Sequence, residues 1–530
     1  MKPLSDNPHL EKLRALALIA GGLVFYAVVL GLRGTGSAGV ELMARLRAVN
    51  TALMNEKAAD LLSSPHVFID MLAIPLAAIF DNEVMGFGLI SALAVGLTLP
   101  AIWRMAAAVS GGLGAALATG LFLGLPIVAG VATAAGPAAI VLLMWCWLLR
   151  LSTLSRYNWW TTLALVLLAA AMVLSWAPAL IWVPAWLIAV IAARGIYKPT
   201  VDPEARGMIG QTRVPLALVL AAVGVVALPS VFFIAIGFDA GSLPSAWEAF
   251  LTNALLADWP PVLFAGEVFA TQRPPLTTGL VWTAFEFPPE VVIGAVAAVL
   301  LPATRRFGIF VERPPRAHGF ELPRTMSVLT LVFLLGLPWA LRTRDVGGVP
   351  ILLMAAPILA ILAGNLFATL VRVALAELEA RAVALRSRRA VLVGLLGLFL
   401  LPGLVSTVLI HPFQESYYNL FAGSVDGAIR AGHPATRGDV LPIDTASSVA
   451  ERAGSRSLHA GPWRPHFDAY VREGYLDPLN LSDNPVEAQT SFHARKPDSA
   501  KLESEPEKRV TWGPRGVGVF VLDIHESRRD

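Results

Sequence analysis

Apolar and polar positions alternate along this chain in long blocks. Runs of about 20 apolar residues, the length needed to cross a bilayer core of roughly 30 Å, recur from residue 15 to residue 410. Their ends are marked by arginines, because a Lys or Arg at mid-membrane costs about 2.5–3.5 kcal/mol on insertion scales. Eleven spans result, near residues 15–32, 85–103, 111–131, 136–150, 159–176, 178–193, 214–236, 288–304, 325–341, 350–371 and 390–409. The expected fold is an all-α polytopic membrane domain over residues 1–410, followed by a small α/β or partly disordered tail over residues 411–530.

Composition supports a bilayer as the solvent. Hydrophobic residues make up 56% of the chain and charged ones 15%, against about a quarter in soluble domains. The run Ala15–Leu32 is too long, and lacks the small-residue cleavage site, for a removed signal; it reads as the first span. The single cysteine, Cys146, lies inside an apolar run and can form no internal disulfide. Net charge is only +3, and no Lys/Arg cluster is interleaved with aromatics, so a nucleic-acid partner is not expected.

Charge also sets an orientation. With Lys2, Lys12 and Arg14 in the cytoplasm, the same side receives Arg104, Arg150, Arg156, Arg194, Arg305, Arg306, Arg372, Arg388 and Arg389. The opposite loops are poor in positive charge, as the positive-inside rule requires. An odd number of spans then carries residue 411 onward to the extracytoplasmic side of the cell (inner) membrane. Two outer loops are long and half apolar, residues 33–84 and 237–287. The first ends in Met71–Phe80, too short to span and suited to an interfacial or re-entrant helix. The second carries Trp247, Trp259 and Trp282, residues that settle at headgroup depth. In the tail, Val517–Ile524 reads as a strand and Ser491–Lys508 as a flexible loop.

Three pieces carry a family resemblance. His411-Pro412-Phe413-Gln414-Glu415-Ser416-Tyr417-Tyr418-Asn419, leading into Gly423-Ser424-Val425-Asp426-Gly427-Ala428, resembles the segment after the last span of bacterial GT-C glycosyltransferases related to protein O-mannosyltransferases. Pro274–Gly279 with Phe285-Glu286-Phe287-Pro288-Pro289 resembles their Pro-Trp-Tyr-Tyr segment and the helix start after it, with the aromatics replaced. Asp345–Ala363 resembles a third helix of the family, Val349 and Pro350 standing where a basic pair is usual. The resemblance implies a GT-C-like fold and an enzyme that moves a hexose or pentose from a polyprenyl-phosphate carrier to a lipid, glycan or protein acceptor outside the cytoplasm. The partners implied are the lipid-linked sugar, membrane lipid and that acceptor.

Such a transfer needs a base for the acceptor hydroxyl and cations for the departing phosphate. The family pattern places an acid in the first outer loop, where this chain offers Glu41, Glu56, Asp60 and Asp70. Glu41 is nearest the first span. Asp70 sits between Ile69 and Met71, where an unpaired carboxylate is expensive. These two are the candidate catalytic residues, and ordinary solvated loop acids are the bland alternative. Arg273 and Arg344 are the candidate phosphate ligands, since the planar guanidinium grips two oxygens together; headgroup contact is their bland alternative. His411, Tyr417, Tyr418 and Asn419 would shape the acceptor side or dock the tail. His66 lacks a partner at ligand spacing, so no metal and no other cofactor is expected, although a divalent ion is not excluded. Two other readings stay open: a non-catalytic relative that binds lipid or a partner, and a transporter or flippase.

Overall fold

The structure is a computed structural model. It describes residues 8–27, 35–36, 83–133, 138–154, 159–175, 179–196, 213–235, 240–252, 262–265, 267–269, 275–306, 324–340, 351–410 and 417–431, and short stretches of the tail between 440 and 526. The helices follow the apolar blocks: α1 (Pro8–Val24), α2 (Glu83–Leu123), α3 (Pro126–Thr133), α4 (Ala138–Ser152), α5 (Trp159–Ser175), α6 (Ala179–Ile196) and α7 (Arg213–Ala235). After the short α8 (Leu243–Leu251) and α9 (Thr278–Glu286) come α10 (Pro289–Arg306), α11 (Arg324–Ala340), α12 (Ala356–Ala380) and α13 (Leu385–Ile410). Among the described residues three helical stretches, 88–123, 352–380 and 385–410, are long and apolar enough to cross a membrane by length and composition. Seven more are apolar but shorter.

The sequence explains the breaks. α2 contains the span expected over 85–103 and the first part of the next, joined by a bend at Ser110 and Gly111, where Gly111 takes φ +67°, a conformation that costs a side-chain-bearing residue dearly. The Arg372 guanidinium of α12 donates to the freed Ser110 carbonyl, so an arginine closes the bend. The span expected over 111–131 is interrupted at Gly124-Leu125. Pro126 cannot continue the ladder and instead occupies the first position of α3, where its missing N–H is no loss.

Inside the bundle, small residues set the approach distances. A Cβ on Gly364 of α12 would lie 2.7 Å from the Ala118 backbone nitrogen of α2, and one on Gly294 of α10 would meet Ala363 and Phe367 at 2.8 Å. Association of helices in lipid rests on this kind of close packing, since burial of apolar surface gains little there. Trp145 and Trp182 are fully buried with ring centroids 5.6 Å apart, and the Trp145 indole donates to the Met354 carbonyl.

The second long loop holds α8, whose Trp247 packs edge-on to Phe233 of α7 and donates to the Ser230 hydroxyl, and a hairpin of β2 (Val262–Phe264) and β3 (Glu267–Phe269). The first loop begins with β1 (Thr35–Gly36), which pairs antiparallel with β4 (Val440–Leu441) of the tail. Further on, β5 (Leu458–His459), β6 (Thr490–Ala494), β7 (Lys508–Trp512) and β8 (Phe520–Glu526) form a mixed sheet in the order β5-β6-β8-β7. The strand expected at 517–524 is β8, displaced toward the C-terminus. The segment read as a loop from Ser491 begins inside β6, because its polar residues pair with β8 across the register Ser491 to His525. The piece Met71–Phe80 lies outside the described residues.

Candidate functional site

At the Ile410 end of the bundle, α9 stops at Glu286 and α10 starts at Pro289, with Phe287 and Pro288 between them. The proline pair forces this turn: the residue before a proline is driven out of the helical region, and Phe287 is extended at ψ 147°. Pro288 offers its carbonyl to the amides of Val291 and Val292, which opens α10 with Glu290 in its first turn. A carboxylate suits the positive end of a helix dipole.

Glu290 does not face open water. Its carboxylate receives the backbone amides of Glu290 itself and of Gly403 in α13, while Oε1 is buried with no hydrogen-bond partner. Oε1 lies 3.3 Å from the place where a Cβ on Gly403 would stand. Gly403 is seven residues before Ile410, so the carboxylate sits roughly 10 Å below the end of α13 at 1.5 Å rise per residue. An ionisable side chain at that depth is a functional candidate by default.

α13 reaches this point through Pro402, and only Gly403, Thr407 and Ile410 of its whole length are buried. They form one stripe at helical spacing that meets the break between α2 and α3. Thr407 Oγ1 donates to the Gly124 carbonyl at 2.8 Å, and a Cβ on Gly403 would lie 3.0 Å from the same oxygen. Tyr26, just past α1, donates to the neighbouring Leu123 carbonyl at 3.3 Å. α1, α2, α3, α10 and α13 thus converge where their helical hydrogen bonding is interrupted.

The segment after α13 folds back onto this junction. Asn419 donates its backbone amide to Phe285 O at 2.8 Å, and its Nδ2 donates to the carbonyls of Ala284 and Phe287, each at 2.6 Å. Its Oδ1 accepts from the amides of Phe421 and Ala422, capping a 3₁₀ turn at Leu420–Ala422 before α14 (Ser424–Arg430). Tyr418 is buried against Phe285, Ala422 and Ala428, and that burial raises its phenol above the usual range. Tyr417 is also buried; its hydroxyl pairs with Ser406 of α13 and feels the Glu290 charge. Burial first, and that charge second, push the Tyr417 phenol up to about 12 against the pull of the Ser406 bond.

Of the residues singled out from the sequence, Tyr417, Tyr418 and Asn419 come together here. Glu41, Asp70, Arg273, Arg344 and His411 lie outside the described residues, as do Glu56, Asp60 and His66. The β1–β4 pair fastens the chain a few residues ahead of Glu41 to the tail. Among the described residues no three of His, Cys, Asp and Glu group as metal ligands do. Glu290 was not among the sequence candidates. Its signal is present, an acid directly after Pro288-Pro289 at the head of an apolar span, but the family pattern points to the first outer loop for the acid. Glu286, four residues earlier and buried, escaped for the same reason.

No protein-family model and no curated protein matches the sequence. Solved structures with a similar course of the chain exist. ArnT from Cupriavidus metallidurans bound to undecaprenyl phosphate shares 13% identity at a TM-score of 0.45, over 97% of this chain and 98% of that one. The oligosaccharyltransferase of Archaeoglobus fulgidus in the apo form shares 12% identity at a TM-score of 0.47, over 90% of this chain and 65% of that one. The archaeal oligosaccharyltransferase AglB from the same organism, in complex with an inhibitory peptide and a dolichol-phosphate, shares 10% at 0.42.

Proposed function

We propose that this chain is a membrane glycosyltransferase that moves a sugar from a polyprenyl-phosphate donor to an acceptor on the extracytoplasmic face. The observation that carries the reading is the seating of Tyr417-Tyr418-Asn419. The piece with the most specific resemblance to GT-C enzymes is packed onto the α9–α10 turn by a full set of Asn419 hydrogen bonds, beside a carboxylate at outer-leaflet depth. In this reading the Ile410 end faces outward, residues 1–410 form the transmembrane domain and residues 411–530 the tail domain.

The roles follow the chemistry. Glu41 or Asp70 takes the proton of the acceptor hydroxyl as the new glycosidic bond forms. Arg273 and Arg344 hold the phosphate oxygens as the bond to the anomeric carbon breaks and charge collects on the carrier. His411, Tyr417, Tyr418 and Asn419 shape the acceptor side and dock the tail. No metal is assigned.

The test is sugar transfer by the full chain in proteoliposomes, supplied with radiolabelled polyprenyl-phosphate hexoses and pentoses. The expected result is release of bare polyprenyl phosphate at the rate of sugar transfer, falling at least a hundredfold in Glu41→Gln or Asp70→Asn, as general-base removal does. Turnover retained in every outer-loop acid variant would remove the mechanism. The absence of turnover with every donor would remove the transferase reading itself.

A further inference from the structure

The roles above leave Glu290 without a task, although its carboxylate sits at a costly depth, joins α10 to α13, and acts through its charge on Tyr417 of the tail segment. Helix-capping alone explains the contact with its own amide. It does not explain why the same group also takes the Gly403 amide, nor why its buried Oε1 lies against a residue that carries no side chain. A Cβ at 403 would stand 3.0 Å from the Gly124 carbonyl and 3.3 Å from Oε1, both tight contacts, so glycine here lets α13 approach the α2–α3 break and the carboxylate together.

We propose that Glu290 is a positioning residue of the transfer site: it locks the start of α10 to α13 at Gly403 and through that junction sets the place of the Tyr417 hydroxyl. The inference rests on the transferase reading. The groups acting on Tyr417 are Ser406 from α13, which shares a hydrogen bond with it, and Glu290 from α10, whose charge disfavours the phenolate. Tyr417 therefore stays protonated at neutral pH, buried beside α13 with its hydroxyl held by Ser406 and within reach of the Glu290 charge. A docked segment held in one place keeps the Ile410 end of the transfer site in a single arrangement, which is how positioning lowers a barrier. Glu290 itself touches no reacting atom in this scheme.

The test combines Glu290→Gln, Tyr417→Phe and the double variant in the full chain. In each, kcat and KM are measured with the donor that the wild type uses, and phenol ionisation is followed by ultraviolet difference titration with Tyr417→Phe as the blank. The expected result is a loss of about tenfold in kcat with little change in KM for each single variant, and no further loss in the double variant. In Glu290→Gln the Tyr417 titration moves down from about 12, because the charge that raises it is gone. Independent, multiplying losses, or a Tyr417 titration unmoved by Glu290→Gln, would overturn the inference while leaving the transferase intact. Should Glu290→Gln fold poorly, Gly403→Ala perturbs the same contact from the other side and must reproduce the kcat loss. Should the wild type transfer no sugar, the transferase reading falls, and the tyrosine titration of the same variants still decides the Glu290–Tyr417 coupling.

Discussion

Asn419 shows how much a single side chain can fasten. Both amide hydrogens go to backbone carbonyls at 2.6 Å and the amide oxygen takes two backbone N–H groups, while only 2% of the residue is exposed. Replacing it with alanine leaves the carbonyls of Ala284 and Phe287 facing a buried gap, at about 1–3 kcal/mol for a stranded group. Asn419→Ala should therefore lower unfolding stability in detergent by about 3 kcal/mol. Asn419→Asp should do worse, because a carboxylate would face two carbonyl oxygens and can donate nothing. Equal stability of wild type and Asn419→Ala in denaturant titrations would disprove the docking role. The sequence singles out Asn419 through a motif, but the carbonyls its amide group donates to are not legible there, lying 135 and 132 residues away. Glu290 is the converse case. Its chemistry is plain in the Pro-Pro-Glu string, yet only the folded proximity of Gly403 shows that the acid is turned into the bundle and not toward water.

At the scale of elements, the apolar period places most of the helical segments, although Arg104 lies inside α2 and Pro100, Pro184, Pro229 and Pro402 lie within helices. It did not locate what happens inside them. The bend at Ser110-Gly111 depends on a long-range partner, Arg372, and the break at Gly124 on a carbonyl to which Thr407 donates. Helix pairing is similarly a matter of which small residue meets which backbone. Gly364 of α12 lies against Ala118 of α2 so closely that a methyl group there would stand 2.7 Å from the nitrogen, 2.8 Å from Cα and 2.8 Å from Cβ. Since backbone on both sides is rigid, Gly364→Ala should push α12 off α2 and destabilise by about 1–3 kcal/mol, the usual range for an overpacked site. Gly394→Ala, in α13 with open space around it, should instead be neutral or stabilise by up to about 1 kcal/mol through helix propensity. Unfolding of the two variants side by side in mixed micelles checks the contrast, and a Gly364→Ala protein as stable as wild type would mean that this helix pair is looser than described.

For the molecule as a whole, the proposed reaction depends on which way the bundle faces, because the donor head, the acceptor and the tail must share one side. The charge pattern argues for an extracytoplasmic Ile410 end, since the arginine-rich turn between α12 and α13, with Arg381, Arg386, Arg388 and Arg389, belongs at the cytoplasmic end. The tail's attachment is consistent with a single outer face: it pairs with the first loop through β1 and β4 and with the α9–α10 turn through Asn419, both reached from the same end of the bundle. A direct check uses the native thiol content. Cys146 is the only cysteine and is fully buried, so single cysteines can be introduced without removing it. Leu420 is 85% exposed on the docked tail segment, and Glu377 carries an exposed side chain at the opposite end of α12. In intact cells with a permeable outer layer, a membrane-impermeant maleimide should label Leu420→Cys and leave Glu377→Cys unmodified until the membrane is opened. The opposite order would place the Glu290–Tyr417 junction in the cytoplasm. An extracytoplasmic lipid-linked donor would then have no access to it, and the proposed transfer would lose its substrate side whatever the chemistry of the site.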